Sequence, residues 1–147
     1  MKFSKTSIWI IAALSLLSLG SVLVLYLAGF RFFTIATPSM GETAPVGTLI
    51  ITQPQQSYNQ NDIISFYRSG SVYTHRLVKI NDDHSYTTKG DLNAAEDSLP
   101  VANRDVIGKA AVVAPVWGWV WRAAPILLIG WIIVYLISNG SDRKSVV

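Results

Sequence analysis

One serine, one histidine and two aspartates stand in an order that could assemble an activated nucleophile. Ser39 lies in Thr37-Pro38-Ser39-Met40, a few residues behind an uncharged apolar stretch at residues 8–30. His75 sits in the strand-like run Val72-Tyr73-Thr74-His75-Arg76-Leu77-Val78-Lys79-Ile80. Asp91 and Asp97 follow in Lys89-Gly90-Asp91-Leu92-Asn93-Ala94-Ala95-Glu96-Asp97. A hydroxyl is a weak nucleophile until a base takes its proton, and an imidazole base needs an acid to fix its tautomer. These residue types fit hydrolysis through an acyl-enzyme. A serine held just outside a bilayer further suggests a membrane-bound serine protease whose substrate is also in the membrane.

The elements that must position these residues begin with two apolar segments. At 1.5 Å per residue, residues 8–30 would form a helix of roughly 34 Å, against about 30 Å of hydrocarbon. Lys2 and Lys5 resemble the charged start of a cleavable signal peptide. Such a peptide has an apolar core of only about 7–15 residues, and no Ala-x-Ala cleavage site follows this one. A retained anchor is therefore expected. The second segment is weaker. Pro125 suits a first helical turn, and the residues after it are almost wholly apolar. Trp117, Trp119 and Trp121 suit an interfacial aromatic belt with Arg122 snorkelling; the alternative is a re-entrant or surface-lying hairpin. Basic residues outside both segments, Lys2 and Lys5, Arg143 and Lys144, favour cytoplasmic ends. The expected organisation is a cytoplasmic N-terminus (1–7), a transmembrane helix (8–30), an extracytoplasmic serine protease domain (31–121), a second transmembrane helix (122–138) and a cytoplasmic tail (139–147).

The middle of the chain reads as mainly β. Runs at 48–52, 63–67, 72–80, 85–88 and 106–113 are rich in β-branched or aromatic residues. Turn clusters such as Asn59-Gln60-Asn61-Asp62, Arg68-Ser69-Gly70-Ser71 and Asn81-Asp82-Asp83-His84 separate them. The apolar stretches at 30–35 and 115–121 are expected to lean on the membrane. A net charge of +3 spread along the chain gives no case for nucleic acid as a partner. The absence of cysteine excludes disulfides and thiolate zinc sites. His84, beside Asp82 and Asp83, reads as a solvated turn residue.

A wider pattern gives Ser39 its specificity. Thr37-Pro38-Ser39-Met40-Gly41-Glu42-Thr43-Ala44-Pro45-Val46-Gly47-Thr48 resembles the nucleophile box of type I signal peptidases. Asn61-Asp62-Ile63-Ile64 resembles the strand entry that follows it, Thr74-His75-Arg76-Leu77-Val78 the general-base box, and Thr88-Lys89-Gly90-Asp91-Leu92-Asn93 with Asp97 the acidic box. Val106-Ile107-Gly108-Lys109-Ala110 resembles the next strand. The boxes stand in family order over about residues 30–121. Histidine at 75, where the common bacterial form has lysine, resembles the endoplasmic-reticulum and archaeal, Ser-His, branch. Two departures stand out: Glu42 replaces a usual proline, and Asn61 a usual glycine.

The resemblance implies an all-β catalytic domain of coiled, partly barrel-like sheets, flanked by transmembrane helices. It implies Ser39 as nucleophile, His75 as general base, and Asp97 as its orienting acid, with Asp91 supporting or sharing that role. Thr37 would assist the Ser39 backbone N–H in binding the oxyanion, and Met40, a residue type more often found in core packing, would also lie beside the substrate groove. No metal or organic cofactor is expected. The expected partners are signal-peptide-bearing preproteins and the lipid bilayer, at the plasma membrane, or at the endoplasmic-reticulum membrane in a eukaryote. Two rivals share the same residues: a protease of this fold dedicated to one substrate class, such as pilin or matrix-protein maturation, and a catalytically silent membrane-anchored binding scaffold.

Overall fold

The computed structural model describes residues 5–115 and 117–141, with side chains at 5, 7, 8, 121 and 136–141 left aside. Lys2, Arg143 and Lys144, on which the expected orientation rests, lie outside the described residues or, for Lys5, have no described side chain.

Two apolar helices bracket one antiparallel sheet. Helix α1 spans Lys5–Leu27 and helix α2 spans Trp117–Ser141. Within them, Trp9–Leu27 and Trp117–Tyr135 are long and apolar enough to cross a membrane. Helix α1 stops before the expected residue 30 for a local reason. Gly29 takes a left-handed φ of 91°, the Gly29 N–H donates to the Tyr26 carbonyl, and the Phe30 N–H donates to the Leu25 carbonyl. That pair of bonds is the Schellman closure, which glycine enters without a Cβ penalty. Arg31 then donates to the Tyr26 carbonyl and lies 4.2 Å from the Tyr26 ring centroid, placing a cation at the helix's negative end.

The strands are β1 (Arg31–Thr34), β2 (Leu49–Gln53), β3 (Ile63–Arg68), β4 (Ser71–Ile80), β5 (Tyr86–Lys89) and β6 (Val106–Ala114). Their order across the sheet is β1-β2-β6-β3-β4-β5, with every pairing antiparallel. No pairing joins β1 to β5 among the described residues. Five strands match the sequence runs within a residue or two. Strand β1 was expected only as membrane-leaning apolar chain, yet it pairs with β2 from Arg31↔Thr52 to Thr34↔Leu49.

The hairpin joining β3 to β4 turns through Ser69 (φ 50°) and Gly70 (φ 78°). Two consecutive positive φ values give the tight turn whose twist matches the flanking strands. Its register sets Ile64 opposite His75 and Phe66 opposite Tyr73. With side chains alternating every second residue, Ile64, Phe66 and Arg68 of β3 share a face with Tyr73, His75 and Leu77 of β4. Tyr58, Ile64, Phe66, Leu77, Tyr86 and Val101 form the main core on that face. A second cluster, Ile35, Met40, Ala44 and Ile50, packs near the start of the domain.

Helix α2 starts at Trp117, ahead of the expected boundary at 122, and Pro125 lies inside it rather than in its first turn. The early start follows from a glycine-to-glycine approach. The Gly118 N–H donates to the Gly47 carbonyl at 2.9 Å, and a Cβ on Gly118 would come within 2.6 Å of that oxygen. The stretches expected to lean on the membrane thus partly meet each other, at Thr34 and Gly118. Trp117 and Trp119 nevertheless remain exposed.

Candidate active site

Ser39 lies in a 3-10 helix, Pro38–Thr43, that no apolar periodicity announces. Pro38 fixes the entry, and Gly41 breaks the turn at φ 55°, ψ −135°. Met40 anchors it: its side chain is fully buried among Ile35, Ala44 and Ile50. Burying a side chain of that size contributes about 2 kcal/mol, enough to hold the neighbouring serine outward in one position. Met40 was expected beside a substrate groove; with no exposed surface it serves instead as a packing anchor beneath the nucleophile.

The Ser39 carbonyl is held from the opposite side. It accepts the Leu92 N–H at 2.9 Å, and a Cβ on Gly90 would lie 2.6 Å from it. Glycine at 90 therefore lets the segment after β5 close onto the nucleophile turn.

On the sheet face below, Ser39 Oγ is 3.1 Å from His75 Nε2, and His75 Nδ1 is 2.7 Å from Asp97 Oδ2. A carboxylate only accepts, so Nδ1 carries the proton and donates to Asp97. Nε2 is then left with its lone pair towards the Ser39 hydroxyl, which donates to it. This is the tautomer a general base needs. His75 is buried, edge-on to the rings of Phe66 (6.2 Å) and Tyr73 (6.2 Å), so the imidazole has little freedom to turn away. Asp97 is fixed independently of His75. Its Oδ2 also accepts the Thr88 hydroxyl at 2.7 Å, and its backbone N–H donates to the Thr88 carbonyl at 2.8 Å.

Asp91 stands in a different arrangement. Arg76 Nε donates to Asp91 Oδ1 at 2.8 Å and Arg76 Nη2 to Oδ2 at 2.6 Å, and the Thr43 hydroxyl adds a third bond at 2.6 Å. Arg76 Nη1 also donates to the Asn61 carbonyl at 2.9 Å. The hydrogen bonds from Arg76 hold the Asp91 carboxyl below its usual range, and Asp91 in turn raises the guanidinium. A two-pronged arginine–carboxylate pair is geometrically demanding. It ties the nucleophile turn, through Thr43, to β4 and to the Asn61 turn. Asn61 adopts φ 76°, a left-handed conformation asparagine tolerates, so the replaced glycine costs little there.

Thr37 Oγ1 is 3.3 Å from Ser39 Oγ and makes no capping bond to the 3-10 helix. His84 is exposed in the β4–β5 turn at φ 62°, and Glu42 is exposed on the nucleophile turn. A groove of about 380 Å³ runs past Ser39 and His75, between residues 33–37 and residues 71–75 of β4. Two polar neighbours of Asp97, Thr88 and Arg68, had no assigned part in the sequence reading. Period-two alternation through a two-residue turn at Ser69-Gly70 places Arg68 on the His75 face and would have revealed it.

Signal peptidase I W of Bacillus subtilis (strain 168) is 33% identical to this chain over 85 residues. The match covers 53% of this chain and 45% of that protein, so the chain spans less than half of the relative's length. No family-wide profile matches the chain.

Proposed function

We propose that this chain is a membrane-bound serine endopeptidase that removes signal peptides from exported preproteins. The observation that carries the reading is the continuous chain of hydrogen bonds Ser39–His75–Asp97 opening onto a groove. The partial likeness to a signal peptidase I supports the choice of substrate.

The chemistry follows from the geometry. Ser39 Oγ attacks the scissile carbonyl carbon as His75 Nε2 takes the hydroxyl proton, and Asp97 stabilises the imidazolium that forms. The carbonyl oxygen gains a negative charge, which the Ser39 N–H and the Thr37 hydroxyl would stabilise; one such donor is worth about 3–4 kcal/mol in the transition state. Collapse of the tetrahedral intermediate breaks the C–N bond. The leaving amine takes the proton from His75, and the signal peptide remains as an ester on Ser39. Water, losing a proton to His75, then hydrolyses the ester and restores the serine. No step requires a metal or an organic cofactor.

The groove favours an extended peptide lying between residues 33–37 and β4. The resemblance to type I signal peptidases implies small side chains, mainly alanine, at the first and third positions before the cut. Incubating membranes that contain the protein with a panel of preproteins, pilins and matrix-protein precursors tests this. General cleavage after small residues is expected; processing of one class alone would favour the dedicated protease instead.

For orientation, we assign both ends to the cytoplasm and the sheet to the outer side, on the basic residues flanking the spans. A tag inserted at Ser69-Gly70 is expected to be open to external protease in spheroplasts while tags at Met1 and Val147 are protected. A protected loop tag would place the site on the wrong side for exported substrates.

A further inference from the structure

Beyond the three residues of the hydrogen-bonded chain, a cationic group converges on Asp97. Arg68 Nη1 is 3.6 Å from Asp97 Oδ2, the same oxygen that accepts His75 Nδ1–H and the Thr88 hydroxyl. That distance is an ion pair rather than a hydrogen bond. The guanidinium is fixed from two other sides: Nη2 donates to the Leu99 carbonyl, and its carbon lies 5.0 Å from the centroid of the Phe66 ring, which itself abuts His75. Both side chains are mostly buried, so water screens the pair weakly.

We propose that Arg68 is a positioning residue for the proposed protease: paired with the Asp97 oxygen that receives the His75 Nδ1–H, it fixes that carboxylate against His75. The inference rests on the function proposed above for its kinetic consequence. Its physical core, the influence of Arg68 on His75, can be measured without any activity.

The chain has two histidines, so histidine-selective nitrogen-15 labelling gives two imidazoles, and His84→Gln assigns them. In Arg68→Gln, which keeps a donor for the Leu99 carbonyl but not the charge, the His75 Nδ1–H proton is expected to lose the downfield position that a short bond to a carboxylate gives it, and kcat to fall about tenfold with KM little changed. Arg68→Lys, which keeps the charge, should recover both, and the His84 signals should be unaffected in either. A loss of packing alone would lower the folded fraction without moving the Nδ1–H signal of the folded protein. A parent-like Nδ1–H signal in Arg68→Gln, or no recovery in Arg68→Lys, would overturn the proposal. If Arg68→Gln failed to fold, Arg68→Met, which keeps the packing on Phe66 without the charge, takes its place with the same expected losses. Absence of preprotein cleavage by the unaltered protein, with the Nδ1–H signals behaving as expected, would reject the protease reading and leave the positioning role of Arg68 standing.

Discussion

Replacing His75 by alanine is expected to lower kcat/KM for preprotein cleavage by a factor of about 10⁴–10⁶, because the Ser39 hydroxyl is then left without an acceptor for its proton. Residues that act as one unit are strongly non-additive. The double replacement Ser39→Ala with His75→Ala should therefore be little worse than either alone. Lysine at 75 should not restore activity, although lysine stands at that place in the common bacterial form of type I signal peptidases. A lysine base must shed its proton, which needs surroundings hostile to a cation. Here the ammonium would arrive beside Asp97, 2.7 Å from the present imidazole nitrogen, and stay charged. Kinetics of purified His75→Lys at neutral pH provide the check. Near-normal turnover would mean that Asp97 does not act on residue 75 in solution.

The second large effect separates the two acids. Asp97→Asn is expected to reduce kcat by about 10³–10⁴, since an amide can offer a donor to Nδ1 and so favour the wrong tautomer. Asp91→Asn should leave His75 chemistry largely intact and act on stability instead. Asp91 has a folded-state pKa below its ordinary value, chiefly through the Arg76 hydrogen bonds. Its contribution is therefore complete above the unfolded value of about 3.9 and disappears as pH falls through the lower folded value. Denaturation of Asp91→Asn should show a loss of about 1 kcal/mol at pH 7, with the difference from the parent narrowing below about pH 4. Equal losses of kcat in the two variants would remove the distinction between an orienting acid and a bracing one.

Why the two acids could not be told apart from sequence is a matter of register. Both follow Gly90 within one segment, and spacing alone puts either within reach of His75. Only the fold shows that Arg76, on the opposite face of β4 from His75, captures Asp91, while Thr88 on β5 presents Asp97 to the imidazole. The β-rich centre was legible because β-branched runs alternate with turn clusters, and the Ser69-Gly70 hairpin carried its own turn signal. Strand β1 was not, since an apolar stretch directly after a membrane-length helix looks the same whether it leans on lipid or pairs with β2. The start of α2 was missed for a similar reason. Pro125 is a strong sign of a first turn, but the helix is set by the contact of Gly118 with Gly47, a tertiary approach that no local pattern encodes. Met40 carried two readings because a residue adjacent to a nucleophile can face substrate or core, and its packing against Ile35 and Ile50 favours the core.

The central claim is that Ser39 is the nucleophile of a preprotein-cleaving enzyme, and cleavage by membranes carrying either the parent chain or Ser39→Ala measures it most directly. Serine and alanine differ by one oxygen, so insertion and folding should be alike, and N-terminal sequencing of the products fixes where any cut falls. The expected result is cleavage by the parent directly after a small residue at the end of the signal peptide, and none by Ser39→Ala above the membrane background. Appreciable cleavage at the same bond by Ser39→Ala would contradict the account.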